Sequence, residues 1–136
     1  MKAAGTFTVT SFVPATLAPE PAAADTGTPL GVAVIEKLFD GEVAGRSTTV
    51  FTAAFDQAAG IGTYVAMESF SGSLNGRSGT FNYAHSATTS GSDRTDEFFT
   101  IVPTSGTGEL AGLRGGGGLS IDQDGTHRIW FDYDLD

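Results

Sequence analysis

"YVAMESFSGSLNGRSGTFNYAH", Tyr64–His85, holds the pair Asn75-Gly76 between two runs that alternate apolar and polar residues. Asn-Gly is the strongest short hairpin signal, because a two-residue type I′ turn needs positive φ at both central positions. Centring the turn there sets Phe70 opposite Phe81, Glu68 opposite Tyr83 and Ala66 opposite His85. Tyr64 joins the same face by period two. The opposite face carries Met67, Ser69, Ser71, Thr80, Asn82 and Ala84, which are mostly small and polar. The aromatic face is therefore expected inside, and it takes the ionisable Glu68, Tyr83 and His85 with it.

Similar signals recur along the chain. "GTFTVTSF" (Gly5–Phe12) alternates as a half-buried strand should. "LGVAVIEKLFDGEVAGRSTTVFTAAF" (Leu30–Phe55) contains Asp40-Gly41, read as a second two-residue turn. That turn would pair Leu38 with Val43, Glu36 with Gly45 and Val34 with Ser47. Glu36 would then share an inner face with Val32, Val34, Leu38, Val43 and Phe51. "EFFTIV" (Glu97–Val102) reads as a strand, and "LSIDQDGTHRIWFDYDL" as a hairpin turning at Asp124-Gly125. In that hairpin His127, Ile129, Phe131 and Tyr133 share one face and Trp130 the other. Four prolines between Val13 and Pro29 mark residues 14–29 as a Pro/Ala-rich loop. Seven or eight antiparallel strands in one 136-residue domain require a sandwich or a small barrel, and a barrel removes the exposed edges.

Composition narrows the partners. Sixteen acidic against seven basic residues give a net charge of −9, which argues against nucleic acid and anionic membrane surfaces. The absence of cysteine excludes disulfides, Cys-ligated zinc, iron–sulfur clusters and thiol nucleophiles. No apolar run resembles a signal peptide or a membrane span, so a cytoplasmic protein is expected.

"VPTSGTGELAGLRGGGG" (Val102–Gly118) contains a G-x-G-x-x-A spacing at Gly106, Gly108 and Ala111. A dinucleotide fingerprint would need a βαβ unit and a long helix behind it, and four consecutive glycines leave room for neither. Glu109, Leu110, Leu113 and Arg114 have spacings of three and four, which suit one short helical turn near 108–114, followed by a glycine-rich exit.

"SGTGELAGLRG" resembles the signature of the DUF3224 family of small bacterial proteins. The wider pattern agrees: "GTF" near the start, an "EK-x-F-x-G" hairpin, "YV-x-x-E", "G-x-L-x-GR-x-G-x-F" followed by His85, then His127 and a closing "DY-x-L". The glycine element is also similar to one in allene oxide cyclases and dirigent proteins. That resemblance implies an eight-stranded antiparallel barrel with an axial pocket, working without a cofactor and commonly as a trimer. The chain departs from the family's usual pattern at Phe12, where Trp is usual, and at Ser69, where Arg is usual.

These readings point to a cofactor-independent cyclase or isomerase acting on a small hydrophobic molecule inside the barrel, with a non-catalytic ligand-binding barrel or a filled structural barrel as alternatives. Glu68, Tyr83 and His85 are the acid–base candidates. Burial should raise the Glu68 pKa toward neutrality, whereas a satisfied internal network would only hold the barrel's register. Glu36 is a second candidate carboxylate. Tyr64, Phe70, Phe81, Phe51, His127, Phe131 and Tyr133 are the expected substrate-binding wall. Gly106, Gly108, Arg114 and Arg77 have structural roles. His85 and His127 lack metal-ligand spacing, so no metal is expected, and His127 is read as bonding across the sheet to Asp122. Trp130, with Leu119 and Ile121 as neighbours, marks an outer apolar stripe and an expected homo-oligomer, dimer or trimer.

Overall fold

A computed structural model describes residues 1–135. The chain forms eight antiparallel strands: β1 (Lys2–Ala15), β2 (Leu30–Gly41), β3 (Val43–Asp56), β4 (Ile61–Leu74), β5 (Arg77–Ser90), β6 (Asp93–Ile101), β7 (Arg114–Ile121) and β8 (His127–Asp134). All belong to one sheet, ordered β6-β5-β4-β3-β2-β1-β8-β7, rolled into a nearly closed barrel. β6 and β7 face each other across a seam that lacks ladder pairing. One 3₁₀ turn, Gly108–Leu110, supplies the expected plug, with Leu110 and Leu113 buried.

The β4–β5 hairpin has the register that Asn75-Gly76 demands: Phe70 faces Phe81, Glu68 faces Tyr83 and Ala66 faces His85. Asn75 and Gly76 both adopt positive φ. The β2–β3 hairpin does not follow its Asp-Gly pair. Phe39 pairs with Gly45, Lys37 with Ser47 and Glu36 with Thr48. An odd slip exchanges the two faces of a strand, so Ala33, Ile35, Lys37 and Phe39 point inward while Glu36 is exposed. Both faces of β2 are apolar enough to be core. The turn geometry decides between them, with positive φ at Gly41 and Gly45 and Phe39 packing against Phe7 and Phe70.

Three other expectations are corrected. Pro14 and Ala15 belong to β1, and irregular chain covers only residues 16–29. The four glycines Gly115–Gly118 lie within strand β7 rather than in a loop exit. A Cβ at Gly117 would lie 2.1 Å from the Trp130 carbonyl oxygen and 3.0 Å from the Phe99 ring, so glycine lets β7 approach both β8 and β6. Leu119 pairs with Ile129 and is buried, whereas Trp130 lies outside with its ring over Gly118.

The S-x-T-x-E alternation of Ser105, Thr107 and Glu109 has its own structural task. β5 continues past the end of β6, and its edge N–H groups need acceptors there. Asn82 N–H donates to Ser105 Oγ (3.0 Å), Thr80 N–H to Thr107 Oγ1 (3.2 Å) and Ser78 N–H to Glu109 Oε1 (3.2 Å). Thr107 N–H returns a bond to the Thr80 carbonyl, and Val102 N–H to that of Asn82. The loop thus substitutes for a strand, and glycine is required between the acceptors: a Cβ at Gly106 would lie 2.0 Å from the Leu110 carbonyl oxygen, and Gly108 has φ +61°. Arg77 begins β5 at the exposed hairpin end, and Arg114 begins β7 opposite Asp134. Gly106→Ala should cost about 1–3 kcal/mol in urea unfolding through overpacking. Gly27→Ala, which meets open space, should be close to neutral.

Candidate functional site

The inward residues of β2–β5 form layers along the barrel axis. At one end lies an apolar plug of Phe7, Phe39, Val43, Phe70, Leu74, Phe81, Phe131, Leu110 and Leu113. At the other end Phe51 stacks on Tyr64 (5.3 Å between centroids) and Phe12 meets Phe51 edge-on, above the small residues Ala66 and Ala87. Between the two sits a polar layer centred on Glu68, which has no exposed surface.

Four side chains from three neighbouring strands converge on this carboxylate. Lys37 Nζ donates to Oε1 at 2.6 Å and His85 Nε2 to the same oxygen at 2.7 Å. Ser47 Oγ donates to Oε2 at 2.7 Å, and the Tyr83 hydroxyl to Oε2 at 2.5 Å. Burial by itself would raise the Glu68 pKa, but the His85 hydrogen bond and the Lys37 charge outweigh it and hold the carboxyl at about 2. The expectation of a carboxylate poised near neutrality is therefore reversed: Glu68 is a permanent anion. Burial lowers the His85 pKa and raises that of Tyr83 well above the phenol range, so both are neutral at pH 7.

Because an ionised carboxylate only accepts, His85 must carry its proton on Nε2, leaving Nδ1 as an acceptor. The Tyr64 hydroxyl donates to it at 2.7 Å. Arg94 of β6 donates from Nη2 to the Tyr64 oxygen at 2.6 Å and from Nε to Glu97 at 2.8 Å. The result is a directed chain: Arg94 to Tyr64, Tyr64 to His85, His85 to Glu68. Burial raises the Tyr64 pKa despite Arg94, which makes Tyr64 a proton donor rather than a phenolate. Thr49 Oγ1, opposite Glu68 on β3, is buried without a hydrogen-bond partner among the described residues.

Glu68, Tyr83, His85 and Tyr64 are thus brought together as the β4–β5 register required. Glu36 is not brought in; the inward charge on β2 is its neighbour Lys37. Lys37, Ser47 and Arg94 were missed. The pattern Ile35-x-Lys37-x-Phe39 was a signal for Lys37, and Ser47 follows once Lys37 is inside. Arg94 had no local signal. Phe70, Phe81, Phe131 and Tyr133 pack in the plug below the polar layer, where the Tyr133 hydroxyl accepts from Asn75. His127 stacks on Phe7 (5.1 Å) and makes no bond to Asp122, which pairs instead with Arg128 at 2.7 Å.

Three surface concavities lie away from Glu68, Tyr83 and His85. A groove of about 550 Å³ runs outside β1 and β8 past Trp130. A trough of about 500 Å³ crosses Gly45, Gly72 and Gly79. A cleft of about 90 Å³ lies at the β6–β7 seam, between Arg94, Phe98, Phe99 and Trp130. Among the described residues no group of His and carboxylates could hold a metal ion, and no helix is long and apolar enough to cross a membrane.

The folded-state pKa of Glu68 lies below its ordinary 4.5, so its contribution is complete above that value and is lost as pH falls toward about 2. The depressed His85 pKa acts with the same sign, beginning below its ordinary 6.5. Stability measured by urea unfolding should therefore decline from pH 6.5 downward. Glu68→Gln should remove the steepest part of that decline, while costing about 3–5 kcal/mol at pH 7 by leaving Lys37 buried without its anion.

No curated protein matches this chain. Among solved structures, a crystal structure from Shewanella oneidensis MR-1, of a DUF3224-family protein with unknown function, is 33% identical. It aligns over 100% of this chain and 98% of that one with a TM-score of 0.81. The model of the DUF3224 family, described as a protein of unknown function, matches residues 3–133. With that family model covering nearly every strand of the barrel, the chain belongs to the DUF3224 family.

Proposed function

We propose that this chain is a cofactor-free acid–base catalyst, of the isomerase or cyclase type, for a small and largely apolar molecule in the cytoplasm. The site would lie at the Phe12–Phe51–Tyr64 end of the barrel. The observation that carries this reading is the hydrogen-bond chain Arg94–Tyr64–His85–Glu68. Its logic is that of a hydroxyl–imidazole–carboxylate triad, in which the buried anion fixes the imidazole tautomer and stabilises positive charge on it.

Tyr64 is the group presented to the ligand. Its hydroxyl proton would pass to His85 Nδ1 as its oxygen takes the α-hydrogen of the ligand, and Tyr64 would then give that hydrogen to the enolate carbon or oxygen as the imidazolium returns its proton to Tyr64. Arg94 supports negative charge on the phenol oxygen. Glu68 does not exchange protons in this scheme; it orients His85. The ligand enters by displacing the Phe51 ring, whose stacking partner is Tyr64 itself. Thr49 Oγ1 offers the ligand a further polar contact below that ring. The similarity to allene oxide cyclases and dirigent proteins supports this use of the barrel, since both steer reactive intermediates without a cofactor.

A second reading, a filled barrel that works through its outer surface, is favoured by the packing: Phe70, Phe81, Tyr83 and Phe131 are all at most 2% exposed. Exchange of α-hydrogens for deuterium in a panel of small cyclic ketones, followed by NMR, separates the two. Wild type should accelerate exchange for at least one ketone, and Tyr64→Phe or His85→Gln should lower that rate roughly 100-fold, the usual reach of a positioned acid–base group. Neither exchange nor binding across the panel would leave the filled barrel as the better description.

A further inference from the structure

The outward residues of β1–β6 align in two adjacent ladders. Cross-strand pairing sets Val13, Val34, Val50, Met67, Ala84 and Thr100 side by side. The next row runs through Val32, Thr52, Val65, Ser86 and Phe98. The apolar members are open to solvent: Val13 is 56% exposed, Val50 56%, Val65 59%, Met67 49% and Phe98 55%. A continuous apolar patch of this kind is uncommon on a monomer's surface.

Charge is arranged around the patch. The chain has sixteen acidic residues. Charged residues border the patch: Glu36 in the Thr48 row, Arg46 in the Leu38 row, and Asp93, Asp96 and Glu97 on β6. The outward positions of β4 from Thr63 to Ser71, and of β5 from Thr80 to Ser86, carry no charge. Depletion of charged residues at a patch centre, inside a polar rim, is the composition of an interface core. For a chain of net charge −9 this is also the face on which two copies approach with least repulsion.

We infer that this wall packs against the same wall of a second copy, making a twofold dimer centred on Val50 and Met67. The twofold arrangement uses one patch on both partners, as an isologous contact requires. The interface is separate from the Tyr64–His85–Glu68 chain, which points to the other side of the same strands, so the dimer and the proposed catalysis stand or fall separately.

Sedimentation equilibrium of the full chain at concentrations up to about 100 μM tests this, a range that detects micromolar association. Wild type should give twice the 14.0 kDa of one chain. Val50→Lys and Met67→Lys should each weaken self-association at least tenfold with unchanged circular dichroism. Thr8→Lys, on exposed β1 surface outside the ladders, should leave it unchanged. A wild-type monomer throughout that range would overturn the inference, and so would an assembly that persists in both lysine variants.

Discussion

Enclosing the Glu68 charge is the constraint on which the rest of the barrel depends. A carboxylate taken out of water costs several kcal/mol unless its lone pairs are filled and its charge is opposed. Here Lys37 comes from β2, Ser47 from β3, and Tyr83 and His85 from β5, so three strand registers must be right together before the anion is satisfied. A one-residue slip of β2 would replace Lys37 with Glu36 and set two carboxylates in one apolar cavity. The polar layer thereby selects a single pairing for strands whose apolar patterns alone permit more than one.

The same layer divides the molecule into two ends with different properties. Below it, edge-to-face and tilted rings from Phe7 to Phe131 pack against one another. Above it, small residues and a stack of Phe51 on Tyr64 close the barrel with far fewer contacts. Motion is less costly there, because few packed atoms must separate for the ring to swing. The proton-bearing hydroxyl of Tyr64 sits at this looser end, and the fixed anion that organises it sits in the rigid interior.

Edges are managed in two ways. Around the seam, glycines on β7 permit close approach of Phe99, and the Ser105–Thr107–Glu109 loop supplies acceptors where β6 has ended. A glycine-rich motif that looks like a nucleotide loop is thus a device for finishing a sheet. On the outer wall β2–β4 are paired along both edges, so what remains exposed there is apolar side-chain surface rather than backbone.

Much of this was legible in the residues alone. Asn75-Gly76 admits one low-energy turn, and from it the facing of Glu68 with Tyr83 and of Ala66 with His85 follows by counting. The short plug of Leu110 and Leu113 also followed from spacing and from the glycines that confine it. Asp40-Gly41 misled, because β2 is apolar on both faces and local turn preference could not weigh Phe39 against Leu38. The chemistry of the site was decided only by tertiary structure. Burial alone argues for a raised Glu68 pKa, and only the meeting of Lys37 and His85 at one oxygen reverses its sign. Electrostatic energy depends on which distant strands converge, and Arg94, thirty residues from Tyr64, reaches it only because the sheet rolls up.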